Sequence, residues 1–131
     1  MQRIILDSPN LPKAPSKAAP GIKVTGGSLI LVSGQVAWDA QSRVVGKGDI
    51  RAQARQAFEN LKVLFAQAGG TLNDIIKMNI YLTDLSNRQA VLEIRREYLG
   101  SNNPPSTTVV VSSLVDPDLL IEIDATGMVA T

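Results

Sequence analysis

From Ile50 to Ala68 the apolar residues Ile50, Ala54, Phe58, Leu61, Phe65 and Ala68 recur at steps of four and three, the period of one helix face. Asp49 stands where an N-cap belongs, Arg51, Arg55, Glu59 and Lys62 fall on the opposite side, and Gly69-Gly70 end the pattern. The spacing predicts a helix from Ile50 to about Gln67. An amphipathic helix of that length must bury its stripe against a layer of comparable size, which constrains the rest of the chain. The next segment changes period. Thr71 with Asp74 has the form of a small capping box, and Ile75 to Leu82 reads as a strand. Its Ile76, Met78, Ile80 and Leu82 share one face, with Lys77, Asn79 and Tyr81 on the other.

The remaining elements follow from the same rules. Ser86 is the expected cap of a second helix ending near Leu99, with Val91, Ile94 and Tyr98 inward and Gly100 as its stop. Arg3 to Leu6 is a short strand. Pro9, Pro12, Pro15 and Pro20 then forbid a helix between Ser8 and Pro20 and suit an extended arm. Ile22 to Val24 and Leu29 to Ser33, joined by Thr25-Gly26-Gly27-Ser28, carry the signature of a β-hairpin rather than of a phosphate loop. Trp38 to Gly48 reads as a polar loop. Ser106 to Ser113 is a strand, and Leu119 to Val129 is the last, with Ile121, Ile123 and Ala125 alternating against Leu120, Glu122 and Asp124. The order predicts a single domain over residues 1–131. Its fold class is α+β: a two-layer sandwich with a mixed sheet of about six strands and two helices on one face. Leu29-Ile30-Leu31-Val32 and Val109-Val110-Val111 are apolar on both faces, and no third helix exists to cover the second one. The expected cover is another copy of the chain, with any pocket between subunits.

Composition narrows the chemistry. The chain has no histidine and no cysteine, which removes histidine acid/base and thiol catalysis, disulfide stapling and the usual zinc sites. A formal charge of +1 offers no field for nucleic acid or an anionic membrane. No apolar run has the length of a membrane span and no leader pattern is present, so a cytoplasmic protein is expected. Carboxylate, hydroxyl, lysine, tyrosine, arginine and water chemistry remain. Three features fit it. Ser33-Gly34-Gln35 lies at a strand end, where the glycine admits a close approach and the hydroxyl and amide offer hydrogen bonds, although a bulge ending the strand explains the same residues. Glu122 projects opposite Ile121 and Ile123, toward the face that needs covering. There a partly desolvated carboxylate with an upward-tending pKa could exchange protons with water, or else serve as a solvated or ion-paired strand residue. Ser106 and Thr108 share one face at the start of a strand fixed by Pro104-Pro105, so both hydroxyls could reach one space, though threonine suits a strand without any function.

Leu31-Val32-Ser33-Gly34-Gln35, Ala52 through Leu61, Ile75-Ile76-Lys77 through Thr83-Asp84-Leu85, and Ile121-Glu122-Ile123-Asp124-Ala125 together resemble the Rid family. These are the YjgF-like reactive-intermediate deaminases, also labelled endoribonuclease L-PSP or translation inhibitors. The resemblance spans nearly the whole chain and implies a chorismate-mutase-like fold assembled as a homotrimer, with small-molecule clefts between subunits. It further implies hydrolysis of imines and enamines, such as 2-iminopropanoate, to the 2-keto acid and ammonia, without metal or organic cofactor. On this pattern Glu122 matches the glutamate associated with the attacking water, and Ser33 and Gly34 match the cleft serine and glycine. The chain departs from the pattern at three places: the carboxylate-binding arginine falls on Ser106, an aromatic or histidine near Pro20, and a helix asparagine near Leu92. These departures imply a shifted specificity, or a trimer that binds a metabolite or partner without catalysis. Arg88, Arg95 or Arg96 could reach the cleft from the second helix, but the preferred reading is that they are solvated residues of its surface. A ribonuclease is disfavoured by the near-zero charge, five aromatic residues and absence of histidine.

Overall fold

The computed structural model describes residues 1–13 and 18–131. Part of the expected proline arm, residues 14–17, lies outside the described residues. Eight main elements follow in order: β1 (Gln2–Leu6), β2 (Gly21–Thr25), β3 (Ser28–Val36), α1 (Ile50–Gln67), β4 (Ile75–Leu82), α2 (Arg88–Leu99), β5 (Ser106–Val110) and β6 (Ile121–Val129). The fold is α+β, with two helices packed on a mixed sheet.

The six strands divide into two sheets. Four form the layer under the helices in the order β3-β6-β4-β5, while β1 and β2 pair with each other alone. The expected hairpin between β2 and β3 is therefore corrected. Gly26 and Gly27 do turn the chain, with φ of 78° and 93°, but β2 spends its ladder on β1, from Gln2↔Thr25 to Leu6↔Gly21, and β3 pairs with β6. A long-range partner wins over the adjacent one because β3 gains burial by joining the main sheet. Arg3 ties the small sheet down, donating to the carbonyls of Asn73 and Met128 at 3.0 and 3.4 Å and lying 3.7 Å from the Asp74 carboxylate.

Helix α1 begins where its cap predicts, with the Asp49 side chain accepting from the Ala52 amide at 3.1 Å. Its stripe packs with Val91, Ile94 and Leu99 of α2 onto Met78, Ile80, Leu82, Ile121, Ile123 and Ala125 of the sheet. Burial of the larger of these side chains, the Val, Leu, Ile, Phe and Met, stabilises the layer pairing by roughly 1.5–3 kcal/mol each. Gln53, fully buried on α1, donates to the carbonyls of Gly46 and Asp118 and accepts from the Leu120 amide, which fixes two loops beside β6.

Several boundaries differ from the sequence reading. The cap before α2 is Asp84 rather than Ser86. Its carboxylate accepts from the Ser86 amide at 2.9 Å and opens a 3₁₀ turn that delays the helix to Arg88. Strand β4 carries a bulge between Ile75 and Lys77, which turns Ile75 into the core in place of Ile76. Strand β3 does not end at Ser33 but continues to Val36 through an irregularity between Val32 and Gln35. β5 stops at Val110 and β6 starts at Ile121. No helix of the described residues is long and apolar enough to cross a membrane.

Candidate functional site

The bulge in β3 places Ser33 and Gly34 at the exposed edge of the main sheet, with the Gln35 side chain donating from Nε2 to the Ser33 carbonyl at 3.0 Å. Glu122 comes to the same point from β6. A Cβ built on Gly34 would sit 2.7 Å from Cδ and 3.0 Å from Cγ of Glu122. The absence of a side chain at Gly34 thus leaves the space in which the Glu122 carboxylate rests, and its backbone φ lies outside the left-handed region. Gly34 and distant Glu122 are thereby brought together, with Ser33 preceding Gly34 on the bulge.

Glu122 alternates with Ile121 and Ile123, both fully buried, so it points to the face of the sheet that the helices leave open. Its cross-strand partner on β4 is Tyr81. The Tyr81 hydroxyl donates to Asp124 Oδ2 at 2.9 Å, and Asn79 Nδ2 donates to Asp124 Oδ1 at 2.9 Å. The hydrogen bond to Asp124, reinforced by burial and by the charges of Asp124 and Glu122, holds the Tyr81 phenol above its ordinary pKa. Lys77 completes the row by donating to Thr107 Oγ1 at 3.1 Å. This polar band lies between Leu29 and Leu31 on one side and Val109 on the other, all exposed.

Ser106 and Thr108 do share a face of β5, but it is the helix-facing one. They stand in parallel register with Met78 and Ile80, whose side chains are fully buried under the helices. Ser106 also lies three residues along the sheet and two strands across from Glu122, by way of Met78↔Ala125. The separation is roughly 14 Å from strand rise and spacing. Within one protomer a small ligand cannot touch both.

Beside Ser106 the solvated reading of Arg95 is corrected. Arg95 is buried, and its guanidinium donates to Ser106 Oγ at 2.6 Å, Asn103 Oδ1 at 3.0 Å and the Pro104 carbonyl at 3.0 Å. The helical period carries this signal, since Arg95 stands four residues from both Val91 and Leu99 on the inward stripe. The Ala19 amide donates to the Asn103 carbonyl at 3.2 Å, so the chain entering β2 lies on the same loop.

The fold and this site define a two-layer α+β protein whose polar cluster occupies the uncovered side of a four-stranded sheet. The family profile for endoribonuclease L-PSP matches residues 12–129. A RutC family protein of Pyrococcus abyssi is 39% identical over 116 residues, covering 86% of this chain and 89% of that protein. The protein DfrA of Myxococcus xanthus is 33% identical over 125 residues, 95% of each chain. Among solved structures, the Rid-family protein YyfB of Yersinia pestis matches with a TM-score of 0.87 at 30% identity, covering 98% of this chain and 100% of that one. RidA of an Antarctic Psychrobacter matches at 0.72 and 29%, covering 96% and 99%. The chain belongs to the endoribonuclease L-PSP family, the group of the Rid and YjgF proteins.

Proposed function

We propose that this protein is a cytoplasmic homotrimer that hydrolyses a small imine or enamine in clefts between its subunits, with Glu122 handling the proton of the attacking water. The observation that carries the reading is the Glu122 carboxylate seated over Gly34, at an exposed sheet edge where the absence of a side chain leaves room for that carboxylate. The carboxylate takes a proton as water adds to the C=N carbon. With the C=N nitrogen protonated, this addition gives a neutral carbinolamine, and the carboxyl then returns its proton to the amine nitrogen. As the C–N bond breaks and ammonia leaves, the carboxylate takes the carbinolamine hydroxyl proton, so that C=O forms, and passes it to solvent or to the departing ammonia. This chemistry uses no histidine, thiol or cofactor.

The opposed placement of Glu122 and Ser106 supports an intersubunit site, because only a neighbouring protomer can bring a Ser106 side to the Glu122 side of another. The exposed Leu29, Leu31 and Val109 supply apolar surface for such an assembly. A cysteine-free chain needs no oxidising compartment to fold. A second reading, a trimer that binds a metabolite or partner without turnover, draws on the absence of a guanidinium at position 106 itself.

The test is keto-acid release from imines made in situ by an amino-acid oxidase. Glu122→Gln keeps the shape and removes the base, and is expected to lower turnover by about a hundredfold or more. Equal turnover in the variant and the wild type sinks the assignment of Glu122. Pyruvate binding with no turnover in either supports the non-catalytic reading.

A further inference from the structure

The two helices run side by side but do not end together. Arg51 pairs with Glu93 and Arg55 with Glu97, which sets their register. Beyond Arg55, α1 continues for about three turns to Gln67, whereas α2 stops at Leu99, just past Glu97. The space beyond the end of α2 is left open. A cavity of about 440 Å³ lies there, with Lys62 and Ala66 on the α1 side, Glu97 and Tyr98 on the α2 side, and Leu72 from the turn before β4. That volume is in the range of small-molecule sites. The cavity belongs to the helix layer, while Glu122 points to the opposite side of the sheet, so the two share no residue.

Its lining combines an apolar body with a rim of both charges. Phe58 stacks on one face of the Tyr98 ring, with centroids 5.1 Å apart and planes within 10°, so Tyr98 turns its other face or its edge to the cavity. Either suits a second aromatic ring, offset-stacked or edge-on. The Tyr98 hydroxyl is committed to Glu59. Lys62 forms the positive side of the rim. Its nearest carboxylate, Glu59, is 3.8 Å away, and the ammonium has no hydrogen-bond partner among the described residues, so its three donors can turn to a ligand. Glu97 forms the negative side. Arg55 fixes it through two hydrogen bonds at 3.1 and 3.3 Å, and a carboxylate has acceptor capacity beyond two. The C-terminal ends of both helices, which favour a cation, also lie at the cavity. A ligand of one sign matches half of this rim; a zwitterion matches both halves.

We propose that this cavity binds a free amino acid with an aromatic side chain, its carboxylate on Lys62, its ammonium at Glu97 and its ring against Tyr98. Ala66 keeps the space open: a longer side chain at that exposed position suits the helix and fills the cavity. The site stands on the helix layer alone and does not depend on the imine chemistry proposed for Glu122.

Calorimetric titration of the full-length protein with phenylalanine tests it, beside three analogues that each lack one contact: phenethylamine without the carboxylate, hydrocinnamate without the ammonium, and alanine without the ring. Phenylalanine is expected to bind with a dissociation constant below about 1 mM, and each analogue about tenfold or more weakly than that. Lys62→Ala is expected to weaken phenylalanine about tenfold, and Ala66→Leu to abolish its binding, both with the circular dichroism of the wild type. Glu122→Gln is expected to bind phenylalanine as the wild type does, which separates this cavity from the sheet face. The Tyr98 ring resonances are expected to shift as phenylalanine is added. No binding of phenylalanine to the wild type at millimolar concentration overturns the proposal. So does an analogue that binds as tightly, a folded Ala66→Leu protein that still binds, unchanged affinity in Lys62→Ala, a silent Tyr98 ring, or loss of binding in Glu122→Gln. Should Ala66→Leu misfold, Lys62→Ala and the Tyr98 resonances decide the matter.

Discussion

Gly34 and Glu122 illustrate how a side chain's position is decided by what its neighbour lacks. The glycine's φ is not in the left-handed region, so nothing in the local backbone demands it; its missing side chain leaves the space that the carboxylate on the next strand occupies. Gly34→Ala is accordingly expected to displace the flexible Glu122 side chain rather than unfold the sheet. Imine turnover should fall by about tenfold or more, with a melting temperature within a few degrees of the wild type. Retained turnover together with a lowered melting temperature would show that the glycine serves the strand alone. Glu122 and Gly34 were legible as candidates because alternation along β6 and a glycine at a strand end are local signals. Arg95 was written in the sequence too, on the inward stripe of α2, but the prior that arginines are solvated outweighed its phase. Only the structure shows that it bonds Ser106, Asn103 and Pro104.

Between elements, the α1–α2 seam combines a well-packed centre with a charged rim. Phe58 and Tyr98 stack with centroids 5.1 Å apart and planes within 10°. Arg51 pairs with Glu93 at 2.6 Å and Arg55 with Glu97 at 3.1 Å, so the side of α1 that the period assigns to solvent in fact faces α2. These partly exposed pairs are each worth at most about 1 kcal/mol. Burial, with the hydrogen bond to Glu59, pushes the Tyr98 phenol up from 10.0 to about 12. The folded state therefore keeps Tyr98 neutral between pH 10 and about 12 while the unfolded chain ionises, so this contribution is complete below pH 10 and lost as pH rises toward 12. Phenolate absorbance should accordingly appear late for both tyrosines, Tyr81 being raised as well, and the melting temperature should drop across that window but not between pH 7 and 9. A phenolate step near pH 10 in the folded protein would contradict the packing at this seam. Helices and central strands were readable because their periods are long enough to be distinctive. The Asp84 cap and the two strand bulges were not, since each turns on one hydrogen bond or one extra residue.

For the molecule as a whole, the open face of the sheet is the surface that the proposed assembly would cover. Leu31 is 73% exposed there, paired with Thr126 and alternating with the buried Ile30. If the homotrimer uses this face, Leu31→Lys should leave the circular dichroism unchanged and shift sedimentation from trimer to monomer at micromolar concentration, taking imine turnover with it. A variant that sediments and turns over like the wild type would move the interface elsewhere. By itself the sequence determined the two helices, the alternation of β4 and β6, the α+β layering and the surplus of apolar surface on one side, because each is a short-range periodicity that burial enforces wherever it occurs. The tertiary structure alone decided that β2 pairs with β1, that Glu122 rests on Gly34, and that Ser106 faces Arg95 instead of Glu122. Those facts depend on strand pairing and register across long separations in the chain, where one ladder is chosen over another by the total area buried and no local pattern records the choice.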